Sequence, residues 1–112
     1  MIYVIDHKDS FTHNVVHQLS LFDQVQCDDF SKVSKSKLNQ ASTIVFSPGP
    51  GAPKDYPISS KIYKKFKGKK KIIGICLGFQ QILFCEGASI IEQKKIYHGF
   101  QSEVLVNNSS KL

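Results

Sequence analysis

The residue with the clearest chemical potential is a cysteine between two glycines, in the order Gly74, Cys76, Gly78. A β-branched run leads into it and a helix-like segment follows, which is the layout of a strand-to-helix turn that carries a nucleophile. Because such a turn is tight, the residues two positions either side must be small, as these glycines are. This spacing favours a nucleophile over the alternative, a buried core cysteine with glycines that only turn the chain.

The position of Cys76 also favours its chemistry. A thiol at the start of a helix is stabilised as the thiolate by the helix dipole. The backbone N–H of Leu77 points in the same direction and can help to hold an oxyanion. We therefore predict that Cys76 is a nucleophile and that Leu77 is an oxyanion donor.

A second candidate segment, the 47–53 loop, has the sequence Ser-Pro-Gly-Pro-Gly-Ala-Pro and follows a predicted strand over 43–46. Its prolines fix φ, while Gly49 and Gly51 permit close backbone approach to a ligand. Alone, this segment is typical of an ordinary turn. Together with the cysteine turn, it is better interpreted as a wall of a substrate site.

Three motifs in the right order resemble those of the class I (triad) glutamine amidotransferases, and the resemblance covers nearly the whole chain. Residues 74–80, Gly-Ile-Cys-Leu-Gly-Phe-Gln, are similar to that family's nucleophile motif, and the 47–53 loop is similar to its glutamine-site loop. Residues 6–14 resemble the opening Asp-x-x-Asp-Ser-Phe-Thr-x-Asn of the glutaminase subunits of anthranilate synthase and aminodeoxychorismate (para-aminobenzoate) synthase.

The resemblance implies that the chain hydrolyses glutamine and delivers ammonia to a partner synthase that uses chorismate, in tryptophan or folate biosynthesis. It implies that the 47–53 loop supplies a further N–H to the oxyanion hole. The residues that it implies for glutamine binding are Gly49, Pro50, Gly51 and Gln80. No cofactor and no metal are expected.

The resemblance also marks what is missing. In the family, a His and a Glu near the end of the domain serve as the base, and a second glutamine-binding segment precedes them; neither follows before Leu112. His98 is not assigned as the base, because the family's His-Gly at this place is a loop feature. Phe79 stands where the family often has His. We expect residues 1–112 to be the N-terminal portion of a glutamine amidotransferase domain, truncated at its C-terminus, with little or no turnover alone.

Length and composition place limits on the class of protein. A chain of 112 residues is one small domain at most. No apolar run is long enough to span a membrane, and Asp6 and Lys8 interrupt any signal peptide. Three cysteines without disulfide or zinc spacing fit a reducing compartment, with Cys85 as a core residue, and we expect a cytoplasmic protein.

The net charge of +6 comes with a lysine-rich stretch over 61–71 and no arginine. Arginine is the residue best suited to bidentate phosphate contacts, so we interpret the stretch as a solvated surface rather than a nucleic-acid site. His13 and His17 are four residues apart, but no third ligand is apparent, and we interpret them as an exposed helix face rather than a metal pair.

The pattern of apolar runs predicts an α/β fold, an open and mostly parallel sheet with helices on both faces. The resemblance implies that this fold is flavodoxin-like and that it is incomplete at the C-terminus. Strands are predicted over 2–5, 25–28, 43–46, 71–75, 88–91, 94–97 and 103–106, and helices over 11–22, 58–66 and 77–85. The side chains predicted to face the interior are Phe11, Val15, Val16, Leu19 and Phe22 in the first helix and Ile58, Ile62 and Phe66 in the second.

Three other interpretations remain open. A cysteine hydrolase would keep the fold without the glutamine chemistry, although the 47–53 loop and Gln80 argue against it. A non-catalytic remnant would retain only partner binding, which the missing His and Glu favour. A basic nucleic-acid binder is the least favoured, and a salt-dependent shift with DNA or RNA would be its signature.

Overall fold

The computed structural model describes residues 1–87 and 105–106 of the chain. Its centre is a sheet of five strands in the order β2-β1-β3-β4-β5. Neighbouring strands β2, β1, β3 and β4 run parallel, and β5 pairs antiparallel with β4. The strands are β1 (Ile2–Asp6), β2 (Val25–Asp29), β3 (Thr43–Phe46), β4 (Lys71–Gly74) and β5 (Leu105–Val106).

Helices join the parallel strands, as βαβ connections require. They are α1 (Thr12–Leu19), α2 (Lys35–Gln40), α3 (Pro57–Phe66) and α4 (Leu77–Cys85), with short 3-10 helices at Phe30–Lys32 and Pro53–Asp55. Pro57 begins α3, where its missing N–H costs nothing. Gly87 follows α4 with a positive φ of 85°, a conformation that ends many helices.

Successive side chains of each strand point to opposite faces of the sheet, and an apolar core lies on each face. On one face, Val4 and Val45 pack with Val15 of α1. On the other face, Tyr3, Ile44 and Ile72 are fully buried in a larger core that contains residues of α2, α3 and α4. The predicted open α/β sheet with helices on both faces is therefore confirmed, since each core needs a helical cover.

Three side chains predicted to face the interior are instead exposed. Phe11 is 53% exposed and Phe22 is 82% exposed, because the first helix covers only Thr12–Leu19 and both residues lie outside it. Ile58 is 44% exposed, because the buried stripe of α3 runs through Ser59, Ile62, Tyr63 and Phe66. The predictions for these three residues were wrong.

Several other predictions on surface and boundaries hold. The strand over 43–46 and the helix over 77–85 have the predicted bounds. His13 and His17 are exposed on α1, and the lysines of the 61–71 stretch are exposed except for Lys70, which is half-buried. The predicted strand over 103–106 overlaps β5. The predicted strands over 88–91 and 94–97, and His98, lie outside the described residues.

Within residues 1–87 and 105–106, we find no helix with the length and apolar character that crossing a membrane requires.

Candidate functional site

The predicted site residues gather at one edge of the sheet. The 47–53 loop follows β3 and Cys76 follows β4, and these two strands are adjacent and parallel. The carboxyl ends of adjacent parallel strands open on the same edge, so the loop and the cysteine are neighbours. In an open α/β sheet, this edge is where ligands bind, next to the point at which strand order reverses, here between β1 and β3.

Cys76 occupies a strained backbone position between β4 and α4. Its φ is 54° and its ψ is −112°, which is rare for a residue with a side chain. Such a conformation costs about 1–3 kcal/mol and persists only where the surrounding structure enforces it. The side chain is exposed immediately before the first residue of α4, at the positive end of the helix dipole.

The two flanking glycines allow this turn to close. A Cβ on Gly74 would lie 2.5 Å from the carbonyl carbon and oxygen of Gly78. A Cβ on Gly78 would lie 2.0 Å from the carbonyl oxygen of Phe46, which accepts a hydrogen bond from the N–H of Ile75 at 3.0 Å. Both approaches are far inside van der Waals contact, so larger residues would push α4 away from β3 and β4.

The 47–53 loop packs against the start of α4. A Cβ on Gly49 would lie 3.0 Å from Cδ2 of Leu77 and 2.4 Å from Cβ of His7, so only glycine fits in this position. Further along, Gly51 has a positive φ of 85°. The loop therefore brings its peptide groups alongside the turn that presents Cys76.

Side chains fix the outer part of this loop. The Tyr56 hydroxyl donates to the carbonyl of Pro50 at 2.7 Å, and the N–H of Ala52 donates to the Asp55 carboxylate at 2.9 Å. Pro50 and Gly51 remain exposed at the rim. Both residues are therefore accessible to solvent.

Gln80 and Leu77 complete the predicted set. Gln80 lies one turn after Cys76, is half-buried, and donates its backbone N–H to the carbonyl of Cys76 at 3.0 Å. The Leu77 side chain is buried, and its backbone lies in the first turn of α4, where helix N–H groups lack acceptors within the helix. The six predicted site residues thus lie in two segments that touch at Gly49 and Leu77: Gly49, Pro50 and Gly51 in the loop after β3, and Cys76, Leu77 and Gln80 at the start of α4.

Two buried polar residues beside the site were not among the predicted site residues. His7 is fully buried at the end of β1, and Gln81 is fully buried in α4. Gln81 follows the helical spacing of Leu77, Ile82 and Cys85, so the sequence did contain a signal for a buried polar side chain at this position. His7 lies within the motif over residues 6–14, where no apolar spacing signals a buried side chain.

The other cysteines differ from Cys76 in their surroundings. Cys27 is exposed, but partial desolvation of its thiol and the nearby carboxylates of Asp6, Asp28 and Asp29 raise its pKa to about 11. Such a thiol is a poor nucleophile at neutral pH because little thiolate is present. Cys85 is partly buried and packs against the larger core. In the described ranges 1–87 and 105–106, no group of three or more His, Cys, Asp or Glu side chains could hold a metal ion.

Comparison with known proteins decides the family. The sequence profile of the glutamine amidotransferase class-I family matches residues 3–112. The chain belongs to the class-I glutamine amidotransferase family. The resemblance noted from the three motifs is therefore confirmed, and the parallel sheet is that of this family's flavodoxin-like fold.

Relatives with three different names match the chain. The chain is 37% identical to anthranilate synthase component 2 of Lactococcus lactis over 93% of its own length and 53% of that protein. It is 33% identical to aminodeoxychorismate/anthranilate synthase component 2 of Bacillus subtilis, over 93% of the chain and 55% of that protein. It is 34% identical to the bifunctional protein TrpGD of Thermotoga maritima, over 95% of the chain and 19% of that protein.

A solved structure gives the same fold. A putative GMP synthase protein from Thermoplasma acidophilum superimposes with a TM-score of 0.65 at 26% identity, over 79% of this chain and 45% of that chain. This glutamine amidotransferase chain spans about half the length of the component 2 relatives it matches.

Proposed function

We propose that Cys76 is the nucleophile that attacks glutamine in the glutaminase component of a chorismate-using synthase. The observation that carries this proposal is the placement of an exposed Cys76, at φ 54° and ahead of α4, beside the 47–53 loop. Strain concentrated at an exposed side chain on the ligand-binding edge is typical of a functional residue rather than a structural one.

In this proposal, the Cys76 thiolate attacks the side-chain carboxamide carbon of glutamine and forms a tetrahedral oxyanion. The N–H of Leu77 and a peptide N–H of the 47–53 loop donate to that oxyanion. Each such donor typically contributes about 3 kcal/mol to the transition state. The leaving nitrogen takes up the proton that the thiol lost to a base, the C–N bond breaks and ammonia leaves. Water then hydrolyses the thioester to glutamate and the thiol.

Substrate binding is proposed for the residues around the thiol. Gly49, Pro50 and Gly51 offer peptide groups on one side of the cysteine, and Gln80 offers a side-chain amide one turn along α4. An amide side chain can both donate and accept, which matches the groups of glutamine itself. This site needs no cofactor, because a thiolate and two N–H donors suffice for acyl transfer.

A general base is needed to take the proton from the thiol and, once protonated, to pass it to the leaving amine, and we propose that the described residues do not supply this base. His7 is the one described histidine at this edge, and both of its ring nitrogens are engaged, by the Ser47 carbonyl at 3.0 Å and the Ser59 hydroxyl at 2.8 Å. We therefore propose that residues 1–112 act as the N-terminal portion of a glutaminase domain and turn over glutamine slowly by themselves.

The proposed partner is a synthase that uses chorismate and receives the ammonia. Relatives with printed names of anthranilate synthase component 2 and aminodeoxychorismate/anthranilate synthase component 2 support this choice. Both the anthranilate and the 4-aminobenzoate products fit the proposal, and so does a cytoplasmic location.

The test measures glutamate release from glutamine by the purified chain, with and without a chorismate-using synthase that lacks its own glutaminase. We expect slow release that disappears in Cys76→Ser and persists in Cys27→Ser, and retention of the chain on the immobilised synthase. Release that survives Cys76→Ser would contradict the assignment of the nucleophile. Retention on the synthase with no Cys76-dependent release under any condition would favour a binding module instead.

A further inference from the structure

Two buried polar side chains hold the ends of the segment that contains the 47–53 loop. Gln81 holds the far end. Its Nε2 lies 3.0 Å from the carbonyl oxygen of Pro53, 3.2 Å from that of Tyr56 and 2.8 Å from the Ser60 hydroxyl. Because Gln81 belongs to α4, these bonds tie the end of the loop to the helix that begins beside Cys76.

The amide orientation of Gln81 follows from its neighbours. The carbonyls of Pro53 and Tyr56 can only accept, so the group that faces them must be the NH₂ donor. Its Oε1 is buried and, within the described part of the chain, has no hydrogen-bond partner. The cost of burying that oxygen is offset by the hydrogen bonds that Nε2 donates.

His7 holds the near end of the same segment. Its backbone N–H donates to the Ser47 hydroxyl at 2.9 Å, and its Nδ1 faces the Ser47 carbonyl at 3.0 Å. Since a carbonyl only accepts, Nδ1 carries the proton, and Nε2 accepts from the Ser59 hydroxyl at 2.8 Å. The ring packs edge-on against Tyr56, with centroids 4.5 Å apart.

Both side chains converge on consecutive residues of α3. His7 bonds to Ser59, and Gln81 bonds to Ser60. The segment from Ser47 to Tyr56 is therefore held at each end by a side chain from a different element, and both side chains share an anchor in the first turn of α3.

We infer that Gln81 and His7 are positioning residues. They hold the 47–53 loop in the position from which its peptide N–H groups can donate to an oxyanion formed on Cys76. This inference deepens the proposed function and rests on it. Neither side chain need touch glutamine, because each acts through the backbone of the loop. Loss of either one lets the loop move relative to α4, and a displacement of about 1 Å is enough to lower reactivity on the order of a hundredfold.

The test compares two reagents at Cys76 by intact mass and peptide mapping. Iodoacetamide reports the accessibility and nucleophilicity of the thiol alone, whereas a chloroketone analogue of glutamine reports the thiol together with the loop. The measured quantity is the ratio of the two second-order rate constants, chloroketone over iodoacetamide. General destabilisation changes both rate constants together, and a displaced loop lowers the ratio.

The variants follow from the contacts. Gln81→Met keeps the length of the side chain but removes both donors, and we expect the ratio to fall on the order of tenfold to a hundredfold. The matched control is Gln40→Met, an exposed glutamine of α2, for which the ratio should stay at the wild-type value. His7→Leu should lower the ratio, and His7→Asn should restore it, because Asn places an N–H at the position of Nδ1.

The outcomes separate the inference from the function on which it rests. A wild-type chain with equal ratios at Cys76 and Cys27 would contradict the proposed function. A selective wild-type Cys76 whose ratio is unchanged in Gln81→Met would contradict the positioning role. If Gln81→Met does not fold, the comparison of His7→Asn with His7→Leu decides: equal ratios in the two variants would contradict the inference.

Discussion

A single methyl group added at Gly78 should separate helix propensity from packing, because the two effects have opposite signs. In the interior of a helix, Gly→Ala ordinarily stabilises by about 1 kcal/mol. Gly78 is the second residue of α4, so propensity alone predicts that Gly78→Ala raises the free energy of unfolding by at most this amount. Packing predicts the reverse, because the new Cβ would lie 2.0 Å from the carbonyl oxygen of Phe46.

The magnitude follows from what must move. The overlap is with the backbone of the central strand β3, including the Phe46 carbonyl carbon at 2.6 Å, so no side-chain rotation can relieve it. Overpacking of this kind typically costs about 1–3 kcal/mol, and a backbone obstacle places Gly78→Ala near the upper limit. After the gain from propensity, we expect a net loss of about 2 kcal/mol in the free energy of unfolding.

The assay is urea denaturation, followed by circular dichroism, of wild type and Gly78→Ala. The matched control is Gly87→Ala at the other end of the same helix, where a Cβ meets nothing within 4 Å but φ is 85°. The control should lose about 1–2 kcal/mol of unfolding free energy from backbone strain. Its Cys76 should be alkylated as fast as in wild type. A Gly78→Ala chain as stable as wild type, or more stable, would refute the packing argument.

Three further predictions concern the same edge of the sheet. Cys76→Gly should raise the free energy of unfolding by about 1 kcal/mol, because glycine relieves the strain at positive φ. Cys76→Ser should not raise it, and equal urea midpoints for the two variants would contradict the strain. Gly49→Ala should abolish selective chloroketone labelling of Cys76 while Gly68→Ala, whose Cβ meets nothing within 4 Å, preserves it. Burial lowers the pKa of His7 from its usual value of 6.5, so the unfolded chain binds the proton more readily and the free energy of unfolding should fall as pH drops below 6.5. His7→Asn should flatten that slope between neutral and mildly acidic pH, and an unchanged slope would show that His7 does not carry it.

The fold was predictable where local pattern and packing agree. Continuous apolar runs gave β1, β3 and β4 within a residue or two, since strands buried on both faces leave no polar alternation. Motif spacing also placed Cys76 at a strand-to-helix turn. The tightness of the turn predicted that the residues two positions on either side of Cys76 must be small. The structure gives the steric reason, because a Cβ on Gly74 or Gly78 would lie 2.5 Å or 2.0 Å from backbone atoms.

The wrong predictions have two causes. Phe11 and Phe22 lie outside the ends of α1, and hydroxyl residues take one inward position in each of α1 and α3, Thr12 and Ser59. Thr12 donates to the Asp6 carboxylate at 2.9 Å, and Ser59 bonds to His7 at 2.8 Å. Periodicity of apolar residues cannot reveal these bonds, because each depends on a partner elsewhere in the chain.

The same reason explains why His7 and Gln81 were missed as site residues. A buried polar side chain is tolerated when it is hydrogen-bonded, and the partners of Gln81 lie 21 to 28 residues away in sequence. Those of His7 lie 40 and 52 residues away. Sequence spacing identifies residues whose partners lie within the same local turn, but it does not identify residues whose hydrogen-bond partners lie in other secondary-structure elements.

The measurement that tests the central claim most directly is protection of Cys76 by glutamine. The chain is alkylated with the chloroketone analogue at increasing concentrations of free L-glutamine, with D-glutamine as the control, and labelling of Cys27, Cys76 and Cys85 is followed separately. We predict that labelling is confined to Cys76, is suppressed in a saturable way by L-glutamine, and is absent in Cys76→Ser. Equal labelling of the three cysteines, or labelling of Cys76 that L-glutamine leaves unchanged, would contradict a glutamine site built around this residue.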